Sequence, residues 1–170
     1  QPKVYQEENP LALYLEKTGF NQKISEVINT SQYEFGYSFK PKVKGKINAI
    51  TFKIPDNAPV VRVIIWDAVT KVPLRTINVQ NIVAGVEVNQ KIEVLNVDQD
   101  REYLISYNGS DWYDRRRTDA TSTTYPIDAG NIIITGYQYA ETLLNQVVYP
   151  SAKANSYYAG DASGVFQQVD

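Results

Sequence analysis

From Tyr33 onward the chain alternates apolar and polar residues in short runs, and each run ends in turn-forming residues. Tyr33, Phe35, Tyr37 and Phe39 alternate with Glu34, Gly36, Ser38 and Lys40. Ile50, Phe52 and Ile54 alternate with Thr51 and Lys53, and Tyr103, Ile105 and Tyr107 with Glu102 and Ser106. Val86, Val88, Ile92 and Val94 follow the same rule beside Glu87, Asn89, Lys91 and Glu93. A period of two puts each set on one face of a strand and has no counterpart on a helix. Val60, Val61, Val63, Ile64, Ile65 and Trp66 are apolar on both faces, which suits a central strand covered on both sides. Trp66 therefore reads as core, and Asp67 after it as a turn initiator. The breakers between runs are plain: Pro55 to Pro59, Asp67 to Pro73, Asp98 to Asp100, and Asn108-Gly109.

About eight or nine short strands at roughly 8–15-residue spacing form the pattern of an all-β, two-sheet antiparallel sandwich. Long amphipathic helices do not separate the strands, which argues against a parallel α/β sheet. Residues 1–31 differ in character. Leu11, Leu13, Tyr14 and Leu15 follow Asn9-Pro10 and run into Gly19, which fits either a short helix or an irregular lead-in packed on the domain. The division is thus a lead-in over residues 1–31 and a sandwich over residues 32–170, one domain overall. At 170 residues and 43% hydrophobic content, such a domain buries enough surface to fold without disulfide or metal.

Composition removes several functions. The chain has no His and no Cys, so Ser-His-Asp and Cys-His catalysis are ruled out, and zinc or copper would lack its usual ligands. No glycine-rich phosphate-binding motif occurs. A net charge of −2 argues against nucleic acid as a partner. No apolar run approaches the ~18–20 residues of a membrane-spanning helix. The chain begins Gln1-Pro2-Lys3 rather than with Met, the expectation for a processed or truncated product.

Several segments together resemble a bacterial exported β-sandwich domain of unknown function. They are residues 33–39 (Tyr33, Phe35, Tyr37, Phe39), residues 45–52 (Gly45 to Phe52), residues 61–67 (Val61 to Asp67) and residues 103–107 (Tyr103 to Tyr107). Asp111-Trp112-Tyr113 and the closing Tyr158 to Asp161 and Phe166 to Gln168 are similar to the subgroup found as Bacteroidetes-type surface lipoproteins. The likeness runs from Asn9 to the end. It implies a jelly-roll-like sandwich, export to the cell surface, and attachment through a lipid on a Cys upstream of Gln1, a residue outside this sequence. The family is often fused to immunoglobulin-like and sugar-active modules, which implies a glycan ligand by association only.

The most distinctive local feature is the run from Asp111 to Asp119, which reads as part of a long polar loop over residues 110–124. Flat rings stack on sugar faces, and acids and guanidinium forks hydrogen-bond hydroxyls. The candidate ligand-binding residues are Asp111, Trp112, Tyr113, Asp114, Arg115 and Arg117. In the competing reading, Trp112 and Tyr113 cap one end of the core and the arginines pair with neighbouring acids. Calcium, which accepts oxygen ligands alone, is the one cofactor left open, with Asp56-Asn57 and Asp98-Gln99-Asp100 as donors.

Three functions follow. The first is a non-catalytic surface module binding glycan through the Trp112 segment. The second is a structural or adhesive unit that meets another cell-envelope protein through Tyr33, Tyr37, Tyr137 and Tyr139. The third is a glycoside hydrolase built on two facing carboxylates.

Overall fold

A computed structural model of the chain describes residues 3–170; Gln1 and Pro2, part of the argument for a processed start, lie outside the described residues. The elements in chain order are β1 (Glu7–Glu8), α1 (Leu11–Thr18), β2 (Lys23–Val27), β3 (Tyr33–Pro41), β4 (Gly45–Phe52), β5 (Ala58–Asp67), β6 (Val72–Ile82) and β7 (Val88–Val97). There follow β8 (Tyr103–Gly109), β9 (Trp112–Arg116), β10 (Ile127–Ala129), β11 (Ile132–Glu141), β12 (Ala152–Ala154), β13 (Tyr158–Ala159) and β14 (Ala162–Gln168). Every pairing is antiparallel.

The architecture is an all-β sandwich with one short helix. One sheet has the order β1-β14-β4-β7, and the larger one the order β10-β11-β3-β8-β5-β6, with β12 also beside β11. The alternation in β3 decides which rings enter the space between them. Phe35, Tyr37 and Phe39 point inward and are buried with Ile47, Ile50, Phe52 and Phe166 from the facing sheet. Phe52 meets Tyr107 edge-on across the layers, with centroids 4.8 Å apart. Tyr37 is not a surface tyrosine: it is fully buried, shares a hydrogen bond with Ser163 Oγ (2.8 Å) and accepts another from the Gly164 N–H (3.2 Å). Tyr137 is buried as well. An exposed face built on all four of Tyr33, Tyr37, Tyr137 and Tyr139 is therefore not what the chain forms.

The lead-in is ordered and does form a helix. Leu11 to Thr18 turn Tyr14, Leu15 and Thr18 onto the core, and Gly19, at φ 80°, ends the helix by donating its N–H to the Glu16 carbonyl. The same lead-in supplies two edge strands: β1 beside β14, and β2 beside β9. It is thus woven into the sheets rather than laid on them. Pairing partners more than eighty residues away in sequence leave no local trace, which is why neither strand was legible in the lead-in.

Part of the outer face of the larger sheet is also covered. Residues 142–150 return over β8 and β5 as a strap, held by Asn108 and Arg62 and packed on Trp66 through Tyr149. Beneath it Ile64, Trp66 and Leu104 form a second, smaller apolar cluster against Tyr149. Trp66 is buried as expected, but in this outer cluster and not between the sheets. Asp67 does initiate its turn, with Oδ1 accepting from the Val69 and Thr70 N–H groups, and it is also bound by Arg101. Beside the cluster lies a buried polar network. Arg62 pairs with Glu34 and donates to the Asn145 carbonyl of the strap, while Ser106 donates to Glu34 and accepts from the Trp66 indole N–H. Gly36 sits between these residues because the strands are too close there for a side chain: a Cβ would lie 1.8 Å from the Ile105 carbonyl oxygen.

Candidate functional site

Within the stretch expected to be a loop, Trp112–Arg116 form a strand, while residues 117–124 do run without regular structure. The corner at Ser110-Asp111 is pinned from several sides: the Thr30 N–H donates to the Ser110 carbonyl (3.1 Å), the Asn29 N–H to Asp111 Oδ1 (2.7 Å), and the Tyr107 hydroxyl to the Asp111 carbonyl (3.0 Å). Beyond it, β9 becomes the middle strand of a small third sheet, between β13 and β2. The density of charge in Trp112 to Arg116 hides a period of two. Trp112, Asp114 and Arg116 share one face, and Tyr113 and Arg115 the other.

The first face opens on a groove of about 380 Å3. Its floor is Phe35, Tyr137 and Ala159, all buried, and its walls are the half-buried rings of Tyr33, Trp112, Tyr139 and Tyr157. Thr30, Ser31, Asp114 and Arg116 supply the polar groups. The rings brace one another. Trp112 meets Tyr33 edge-on at 5.7 Å and Phe35 at 5.3 Å. Tyr139 stacks on Tyr137 at 5.9 Å, and Tyr157 meets Tyr137 edge-on at 5.2 Å. Rings held this way lose little freedom when a ligand arrives.

Asp114 and Arg116 form a two-pronged pair on the wall: Arg116 Nε donates to Oδ1 at 2.7 Å and Nη2 to Oδ2 at 3.1 Å. The guanidinium also lies over the Tyr157 ring, 4.9 Å from its centroid. The bond to Asp114 raises the affinity of Arg116 for its proton. Burial raises the Tyr157 phenol, and more strongly that of Tyr137, so both stay protonated as neutral hydrogen-bonding groups.

The six candidate residues therefore divide. Trp112 and Asp114 line the groove. Tyr113 is on the opposite face, where Lys53 lies over its ring at 5.0 Å. Arg115 is also on that face, buried, and bound to Asp161 at 2.9 and 2.6 Å. Asp111 holds the corner to Asn29. Arg117 ties the end of α1 to the following loop by donating to the Thr18 and Ser122 carbonyls, at 2.6 and 2.7 Å. Arg116, outside the candidate set, is the arginine that lines the groove. Its signal was present in the alternation from Trp112 to Arg116. The contributions of Tyr33, Tyr139 and Tyr157 had no local signal, since they reach the groove on three other segments. The Trp112 ring packs on Phe35 at the edge of the core, as the capping reading has it, and also forms a wall of the groove.

Of the possible calcium donors, Asp56 Oδ1 accepts from the Asn57 N–H, a turn interaction, and Asn57 Oδ1 accepts from the Ala84 N–H, which ties two distant loops together. Among the described residues, no three Asp or Glu side chains come together in a metal-binding group. Among the same residues, no helix is long and apolar enough to cross a membrane.

The chain matches no protein-family model and no curated protein.

Proposed function

We propose that this protein is a non-catalytic binding module that takes a glycan into the Trp112 groove. One observation carries the reading: four half-buried rings, from β3, β9, β11 and the segment before β13, converge on one groove that also holds a carboxylate, a guanidinium and two hydroxyl residues. Aromatic faces suit the C–H faces of pyranose rings, and a few fixed polar groups suit their hydroxyls. Asp114 is the one carboxylate in the groove lining, and it is occupied by Arg116, so the two facing acids a hydrolase uses are not supplied there. Export and attachment to the cell envelope belong to the same proposal and rest on the family resemblance.

The test is binding of the purified chain to a panel of polysaccharides, repeated with Trp112→Ala and Tyr113→Ala. Losing the Trp112 ring should weaken binding at least about tenfold, equivalent to ~1.4 kcal/mol. Tyr113→Ala should leave it unchanged, because that ring faces away from the groove. Equal effects of the two substitutions, in variants shown to be folded by circular dichroism, would remove the groove from the account.

A second reading, contact with another envelope protein, has support in a different place. Leu143, Leu144 and Val147 stand on the outside of the strap, 74%, 72% and 58% exposed, and none of them lines the groove. Binding through that surface would not respond to Trp112→Ala.

A further inference from the structure

We infer that the groove selects uncharged saccharides over acidic ones, and that the Asp114–Arg116 pair is the element that sets this preference; the inference rests on the glycan-binding reading above.

The charged side chains in the groove lining are Asp114 and Arg116, and they cancel. An arginine waiting for an anionic sugar would present its fork to the open groove. Here the Nε–Nη2 edge, one of the two that can grip a carboxylate in two-pronged fashion, is already filled by Asp114, and an anion at the remaining Nη1–Nη2 end would meet a guanidinium whose charge is already compensated. The Tyr157 ring beneath the guanidinium fixes its plane. An incoming uronate would have to displace Asp114 or sit beside its negative charge, and like charges placed side by side repel. Lys23, opposite Arg116 in register on β2, is exposed and outside the lining, so it does not restore a free cation to the groove.

What the pair does offer is a donor and an acceptor side by side. Two of the five guanidinium N–H groups are engaged with Asp114, leaving both Nη1 hydrogens and one on Nη2 for a ligand, and each carboxylate oxygen keeps a lone pair. Adjacent sugar hydroxyls, each able to give and to accept a proton, match that arrangement. The Ser31 hydroxyl adds another group of this kind, and the Thr30 hydroxyl, which donates to the Ser110 carbonyl at 3.0 Å, adds an acceptor. The walls formed by Trp112 and Tyr139 favour pyranoses with a flat apolar face, which substituents in equatorial positions provide.

The experiment is affinity electrophoresis of the whole chain through gels containing neutral polysaccharides (β-glucan, xylan, mannan) or acidic ones (polygalacturonate, alginate, hyaluronan). Retardation by at least one neutral polymer and by no acidic polymer is expected, with the neutral affinity unchanged on adding salt. Asp114→Asn should weaken the neutral affinity at least fivefold and create retardation by acidic polymers, because the charge on Arg116 is then uncompensated. Arg116→Gln, read in the same gels, should weaken neutral binding without creating acidic binding, and it stands in if Asp114→Asn does not fold. Wild-type retardation by acidic polymers alone, or an unchanged preference in both variants, overturns the inference while leaving the groove as a glycan site. Retardation by neither class overturns the glycan-binding reading itself.

Discussion

Replacing Arg62 with Ala is expected to lower the unfolding free energy by ~3–5 kcal/mol near pH 8, and by clearly less near pH 5. Glu34 has no exposed surface, and its carboxylate is held by Arg62 from β5 and Ser106 from β8. Removing the guanidinium leaves an uncompensated buried charge, which is the costly way to break such a pair. It also frees the strap, because the same guanidinium donates to the Asn145 and Gln146 carbonyls.

The dependence on pH follows from Glu34. Burial pushes its carboxyl up to about 7, against the opposing pull of Ser106, Arg62 and Asn108. A carboxyl raised above its unfolded value favours the folded state when protonated. Its contribution is present below the ordinary glutamate value and is lost as pH rises through about 7. Without Arg62 one of the groups holding the value down is gone, so the carboxyl rises further and the penalty grows with pH. Urea unfolding of both proteins from pH 5 to pH 8 measures this. The double substitution Glu34→Leu with Arg62→Met removes both charges and should recover much of the loss. A penalty independent of pH, or one below about 1 kcal/mol, would show that the pair does not carry the strap.

The second large effect is at Trp66, where Ala should cost ~3–5 kcal/mol, the range for deleting a buried aromatic ring. The ring is 2% exposed and stacks edge-on with Tyr149 at 5.4 Å, so its loss empties the centre of the outer cluster and unseats the strap. The indole N–H also donates to Ser106 Oγ at 2.9 Å, and Ser106 in turn holds Glu34. Trp66→Phe keeps most of the ring and drops the donor, and should fall between wild type and Ala. Midpoints of urea unfolding at constant slope give the comparison. A Trp66→Ala protein less than about 1 kcal/mol below wild type would place the weight of that face elsewhere.

These two sites and the groove show how much could be read in advance. In β3 the inward set Phe35, Tyr37 and Phe39 was legible because alternation is local. The same alternation puts Glu34 on the opposite face of β3, which on its own implies contact with water, whereas the apolar residues on both faces of β5 already pointed to cover on each side. That cover comes from residues 142–150, whose Asn145 and Gln146 carbonyls accept from Arg62, and nothing near Glu34 or Arg62 in the chain specifies which segment returns. In the run from Trp112 to Arg116 the residue types pointed to recognition. The strand itself was obscured, because charged residues on both faces blur the apolar period.

Sequence alone determined that this chain makes many short strands, stacks them in two layers, and does without histidine or cysteine chemistry. Each of those rests on residues close together along the chain. Only the tertiary structure decided that β9 lies between β2 and β13, that its even-numbered side chains meet tyrosines from three other segments, and that Arg116 rather than Arg115 or Arg117 faces the groove. Strand pairing over long separations fixes which faces meet, and a one-residue change of register would have turned Arg115 inward in its place.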